Sequence, residues 1–203
     1  MNRNLILINL TIILLLAVAY ISGYYFINYP LEFNFWYSFK ESGFECYPFI
    51  LAGTALITYL LSNVSIKKLS FKAKFLRIYP ILNSMILLFF IISSGNELIK
   101  TQKELSKKET EYILQAKKDI QNDQVTLSYA GGFSIPAYNE STLSKIRDIR
   151  KKYGVTYVNT GCIIDPVDNE AQKKYTETVN PYLEKRNGKD WKDKMQKEID
   201  GLK

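Results

Sequence analysis

Cys162, within Thr160-Gly161-Cys162-Ile163-Ile164, is the side chain best suited to nucleophilic chemistry, because a thiolate attacks carbonyls and disulfides once a base has taken its proton. No histidine occurs among the 203 residues. The usual activating base and the commonest metal ligand are therefore both missing. Set among isoleucines and a valine-rich stretch, Cys162 reads as a buried strand residue. Its other role would be a disulfide to Cys46, the second of two cysteines, which together are too few for a metal knuckle or a disulfide framework.

Three acids, Asp165, Asp168 and Glu170, lie near one turn, as calcium ligands do. They lack the D-x-D-x-D-G loop and its closing glutamate, and the preference of acids for helix starts accounts for them. Ala130-Gly131-Gly132 follows a strand pattern and precedes a helix pattern, where phosphate-binding loops sit. It has neither G-x-G-x-x-G nor Gly-Lys-Ser/Thr, and reads as a turn. No catalytic, cofactor-binding or metal-binding residue is assigned, and no cofactor is expected.

The elements that would hold these groups come from two unlike halves. Up to about residue 96, charges are few and Leu, Ile, Phe and Tyr dominate; from Glu97 onward Lys and Glu recur in almost every turn. The second half, roughly a hundred residues, suffices for one small core. The third apolar segment is expected to run on as a charged juxtamembrane helix over 97–122, followed by a soluble domain over 123–203. Val125, Leu127 and Tyr129 alternate with Thr126 and Ser128, a strand pattern. Asn139 caps a helix with Leu143, Ile146, Ile149 and Tyr153 on one face, which Gly154 stops. A second strand follows over 155–164. A helix from about Asp168 then meets Asn180-Pro181, where a kink or fresh start is expected. Trp191, Met195, Ile199 and Leu202 mark a last amphipathic helix. Two strands joined through a helix predict a small helix-rich α/β domain with a two-stranded βαβ-like core, filled by Trp191 and Tyr182.

The first half, 1–96, predicts three transmembrane helices over about 5–27, 46–66 and 78–96. Residues 5–25 alone give a helix of ~31 Å against a hydrocarbon core of ~30 Å. Pro48 and Pro80 are placed in the first turns of their segments. Ala17-Val18-Ala19 looks like a signal-peptidase site, but the apolar run continues to Ile27, so a retained helix is expected. The loop over 28–46 holds Tyr29, Phe33, Phe35, Trp36, Tyr37, Phe39 and Phe44, and suits the headgroup region. Lys67, Lys68, Lys72, Lys74 and Arg77 make the next loop basic and acid-free, which puts it in the cytoplasm. The amino terminus is then cytoplasmic and the soluble domain lies outside the cell membrane.

Within the spans there is no Asp, Glu, Lys or Arg, which speaks against a stand-alone pump or transporter. Formal charge is +7, yet the lysines of the terminal helices alternate with acids, so no nucleic-acid partner is expected. Three functions stay open. The first is a non-enzymatic envelope protein whose outward domain binds another protein. The second is an accessory subunit of a membrane complex, recognised through its helices; Ala19-x-x-x-Gly23 gives weak support to it and to a homo-oligomer. The third, a membrane-bound enzyme, has only scattered carboxylates and Cys162. The expected partners are thus the lipid bilayer and another membrane or envelope protein.

Overall fold

The computed structural model describes residues 2–64, 69–129, 132, 139–161 and 165–202. Ala130, Gly131 and Cys162 lie outside the described residues, as do Lys67 and Lys68. The helices are α1 (Asn2–Ile27), α2 (Phe35–Glu41), α3 (Tyr47–Asn63), α4 (Phe71–Gln121), α5 (Glu140–Lys152), α6 (Pro166–Asn187) and α7 (Trp191–Asp200). The strands are β1 (Val125–Tyr129) and β2 (Val155–Asn159), one on each side of α5 in the chain. The chain divides into two compact units, Met1–Gln102 and Lys103–Lys203.

In the first unit, three helices are long and apolar enough to cross a membrane: Arg3–Ile27, Phe44–Asn63 including a 3-10 turn before α3, and Phe71–Gln121. Burial is inverted relative to a water-soluble core. Leu14, Phe49, Leu60, Met85, Phe89 and Ile92 are exposed, while Asn9, Thr54, Thr58, Ser62, Asn83 and Ser94 are buried. That is the distribution expected where the solvent is hydrocarbon and polar groups must find partners inside. The Thr54 hydroxyl donates to Asn83 Oδ1 at 3.2 Å, and Tyr47 Oη donates to the Ile13 carbonyl at 2.6 Å.

Pro80 is not in a first turn. Its helix begins at Phe71, so Pro80 is a buried interior residue, unlike Pro48, which opens α3. A proline there has no N–H for the carbonyl four residues back, which is that of Leu76. Asn9 Nδ2, from α1, donates to that carbonyl at 3.0 Å. An asparagine on one span thus occupies the acceptor that a proline frees on another.

Lys74, assigned by sequence to the basic loop, donates through Nζ to the carbonyls of Ser62 (3.1 Å) and Val64 (2.7 Å). These are end carbonyls of α3 that lack helical partners, and a cation is favoured at that terminus. Lys72 and Arg77 are exposed.

The second unit has an ordinary apolar core of Val125, Val155, Ile146, Val179, Leu183, Trp191, Met195 and Ile199, with Ala116 from the end of α4. β1 and β2 pair in parallel, from Val125↔Val155 to Tyr129↔Asn159. α5 packs against β2 and α7. Asn139 Oδ1 accepts from the Thr142 N–H at 2.8 Å, the expected cap. Gly154 then turns with φ +73°, and a Cβ there would lie 3.0 Å from Arg186 Cζ. Both conditions favour glycine.

Three further expectations, all in this unit, are corrected. α6 starts at Pro166, two residues earlier than expected, because Asp165 caps it by accepting from the Val167 N–H at 2.9 Å and proline suits the first turn. It runs on through Pro181 without the fresh start at Asn180, held by Ala171, Tyr175, Val179 and Leu183, which are all buried. Tyr182 is only partly buried. Its hydroxyl donates to Asp123 Oδ1 at 2.6 Å, and Tyr175 is the core tyrosine of that helix.

Candidate functional site

Ladder geometry fixes which backbone groups of the small sheet face inward. The Val125 N–H donates to the Gly154 carbonyl at 2.9 Å, and the Thr160 N–H to the Tyr129 carbonyl at 3.0 Å. Odd-numbered residues of β1 therefore bond to even-numbered residues of the β2 segment. Thr126 and Ser128 turn their backbone groups to the other side of β1. There α6 meets them: the Thr126 N–H donates to Tyr175 Oη at 2.9 Å, and Gln172 Nε2 donates to the Ser128 carbonyl at 3.0 Å.

This side-chain seal is the floor of a cleft of about 200 Å³ lined by Tyr112, Gln115, Asp119, Thr126, Ser128, Gln172 and Tyr175. Asp119 is 8% exposed. Its carboxylate accepts from Gln115 Nε2 and from Tyr175 Oη, each at 2.6 Å. Burial, then the bond to Asp119, push the Tyr175 phenol well above its usual range. It stays protonated at any physiological pH, and acts as a donor to Asp119 and an acceptor for Thr126. Each polar group of this triad is satisfied, so the arrangement fixes the end of α4, β1 and α6 in register. Its chemistry is hydrogen bonding.

At the cleft's end, Lys108 Nζ lies 2.8 Å from Asp165 Oδ2 and 3.3 Å from Asp168 Oδ1. Tyr112 Oη donates to Asp168 Oδ2 at 3.0 Å. Lys108 holds the Asp165 carboxyl below the usual carboxylate range. Of the three acids singled out by sequence, Asp165 and Asp168 share this lysine, while Glu170 pairs with Lys173 at 2.6 Å. Among the described residues, no three histidine, cysteine or acidic side chains gather as metal ligands would.

Cys46 is exposed, just before α3. Its proposed disulfide partner, Cys162, lies outside the described residues, as do two of the three residues of the glycine turn. Gly132 is described: it has φ +64°, and its N–H donates to the Gly161 carbonyl at 3.1 Å.

Sequence reading missed a second hub. Asp123, at φ +52°, accepts from Arg186 Nε at 2.6 Å and Nη2 at 2.9 Å, besides Tyr182. Arg186 Nη1 donates to the Lys152 carbonyl at 2.9 Å, so one guanidinium joins the turn before β1 to the end of α5. Arg186, then Tyr182, hold the Asp123 carboxyl below its usual range. Asp123 follows Asn122 at a helix end, which signals a turn but names no partner.

The chain matches no family model, and no curated protein or solved structure is similar enough to it to bring a function across.

Proposed function

We propose that this is a multi-span cell-membrane protein whose second unit faces outward and binds another protein without catalysing a reaction. The observation that carries the reading is the opposite burial of the two units. One hides its polar side chains and exposes its apolar ones, as hydrocarbon demands; the other hides an apolar core, as water demands. The acid-free basic stretch from Lys67 to Arg77, which runs from beyond α3 into the first turns of α4, favours a cytoplasmic side, and so an outward second unit. Its core reads as a βαβ-like unit, β1–α5–β2, stiffened by the Asp119–Tyr175 and Asp123–Arg186 hubs. A rigid domain with its polar groups engaged suits recognition by surface.

Fusing the carboxyl terminus separately to a reporter active only outside the cytoplasm and one active only inside tests the orientation. Photo-crosslinking residues on the second unit's surface test partner binding. Activity of the outside fusion together with discrete protein adducts supports the reading; activity of the inside fusion, or no adduct from any position, rejects it.

A second reading, an accessory subunit recognised through its membrane helices, is favoured by one feature. A groove of about 240 Å³ between α1 and α4 in the first unit is lined by Tyr20, Gly23, Tyr24, Phe90, Ser93 and Ser94 among others. Such small residues allow close helix approach. Stoichiometric co-purification with a membrane protein, lost on Gly23→Leu, would favour it.

A further inference from the structure

Two hollows adjoin in the first unit. One is the groove of about 240 Å³ between α1 and α4. Its hydroxyls are spent within the chain: Tyr20 Oη donates to the Gly43 carbonyl at 3.2 Å, Ser42 Oγ to that of Phe39 at 3.0 Å and Ser94 Oγ to that of Phe90 at 2.6 Å. These residues therefore offer an occupant carbon and ring surface. Ile27 and Phe89, which also line the groove, are exposed, so it is continuous with the apolar surface of the spans.

The other is an open hollow of about 600 Å³ between α1 and α3 in the chain, lined by Trp36, Phe39 and Phe44 together with Lys40 and Glu45. The Phe39 and Phe44 ring centroids are 4.9 Å apart. Lys40 and Glu45 are both exposed. Among the described residues neither has an ion-pair partner, each other included. Phe44 links the two hollows, since its ring meets that of Tyr20, which lines the groove, edge to face at 6.2 Å.

We propose that these hollows bind one zwitterionic phospholipid, its ethanolamine phosphate head in the aromatic hollow and one acyl chain in the groove. The inference rests on the reading of the first unit as membrane-spanning, and holds for either orientation. Lys40 meets the phosphate. Glu45 accepts from the ammonium, which the Trp36, Phe39 and Phe44 rings also attract. An anionic head without an amine gains Lys40 alone and faces Glu45 unpaired. At the roughly 30 Å³ that a water-sized group fills, the groove holds about eight such groups. That suits a stretch of acyl chain and is less than one turn of a helix about 10–12 Å across. A chain lying there restores the dispersion contacts that a void between helices forfeits. Aromatic and charged side chains are ordinary at a membrane interface; an ordinary interface does not choose between headgroups, whereas a site with one cation, one acid and a ring wall does.

The full chain, reconstituted in nanodiscs of equal parts phosphatidylethanolamine and phosphatidylglycerol with the same acyl chains, would be released in a native mass spectrometer and its retained lipid identified. One retained phosphatidylethanolamine, roughly fivefold or more over phosphatidylglycerol, is expected. Lys40→Glu and Trp36→Ala should each reduce that ratio roughly threefold or more, and Glu45→Lys should reverse it, because two lysines favour an anionic head. Ser93→Phe, which fills the groove, should reduce retention of either lipid roughly threefold or more. All four positions are exposed, so these variants leave the packing between the spans intact. Equal retention of the two lipids, no retained lipid, or retention indifferent to these variants overturns the proposal.

Alkaline carbonate extraction of cell membranes separates this failure from that of the wider reading. A chain that stays with the membranes but shows no headgroup preference keeps its spans and lacks the site. A chain released into the supernatant overturns both.

Discussion

The carbonyl of Leu76 and the amide of Asn9 depend on each other. Pro80 frees the first, and Asn9 Nδ2 reaches it across 3.0 Å. Asn9 Oδ1, however, is buried without a partner. Replacing Asn9 by Leu should therefore destabilise the first unit by about 1 kcal/mol, because an orphaned carbonyl in hydrocarbon has no water to turn to. With Pro80→Ala in place, the helix satisfies Leu76 itself, and Asn9→Leu should become neutral or stabilising. A double-mutant cycle of unfolding in detergent micelles measures this coupling; equal losses in both backgrounds would refute it. In the second unit, Tyr175→Phe removes the donor to buried Asp119 and the acceptor for the Thr126 N–H together. A loss of about 2–3 kcal/mol in denaturant unfolding is expected. The polar residues of the spans were visible in the sequence as breaks in apolar runs. Their partners were not, since Asn9 and Leu76 are 67 positions apart and no local pattern records such a pairing.

Among elements, the turn from α4 into β1 is held by Arg186 on Asp123 and by the glycine turn before β2. Asp123 has a depressed carboxyl, with Arg186 the main cause. The ion pair therefore stabilises the fold above the unfolded value of about 3.9, and this contribution is lost as pH falls through the lower folded value. Asp165, depressed by Lys108, has the same sign. Unfolding of the second unit should accordingly become easier below about pH 4. Arg186→Ala should reduce that dependence and lower stability near neutrality by about 1–2 kcal/mol, a value kept small because Asp123 is half exposed. Denaturant midpoints of both proteins between pH 3 and pH 7 check this. The helix period was legible in α7, a stripe of Trp191, Met195 and Ile199, and β1 was found by its alternating sequence, although its last residue, Tyr129, is exposed. Proline was the unreliable sign. Pro80 and Pro181 both lie inside continuous helices, because buried neighbours outweigh one missing hydrogen bond.

For the molecule as a whole, the division into a unit with three helices apolar enough to cross a membrane and a charged unit with its own apolar core follows from composition, since apolar length and charge density change sharply near residue 96. The proposed orientation rests on five basic residues, of which Lys74 also closes α3. The proposed function was less legible, because a protein-binding surface leaves no compact motif in a sequence. Between α1 and α3, Trp36 is 76% exposed and meets the Phe35 ring edge to face. With Trp191 replaced by Phe, its emission should be quenched by bromine-labelled lipid and little by iodide, as expected of a side chain in the interface. The most direct measurement of the central claim is cysteine labelling in intact cells. In a background with Cys46 and Cys162 replaced by Ser, single variants Lys40→Cys, Lys72→Cys and Lys192→Cys would be exposed to a membrane-impermeant maleimide. The account predicts labelling at positions 40 and 192 without permeabilisation, and at 72 only after it. Labelling at 72 in intact cells, with 40 and 192 protected, would contradict both the three crossings in this direction and the outward recognition unit that depends on them.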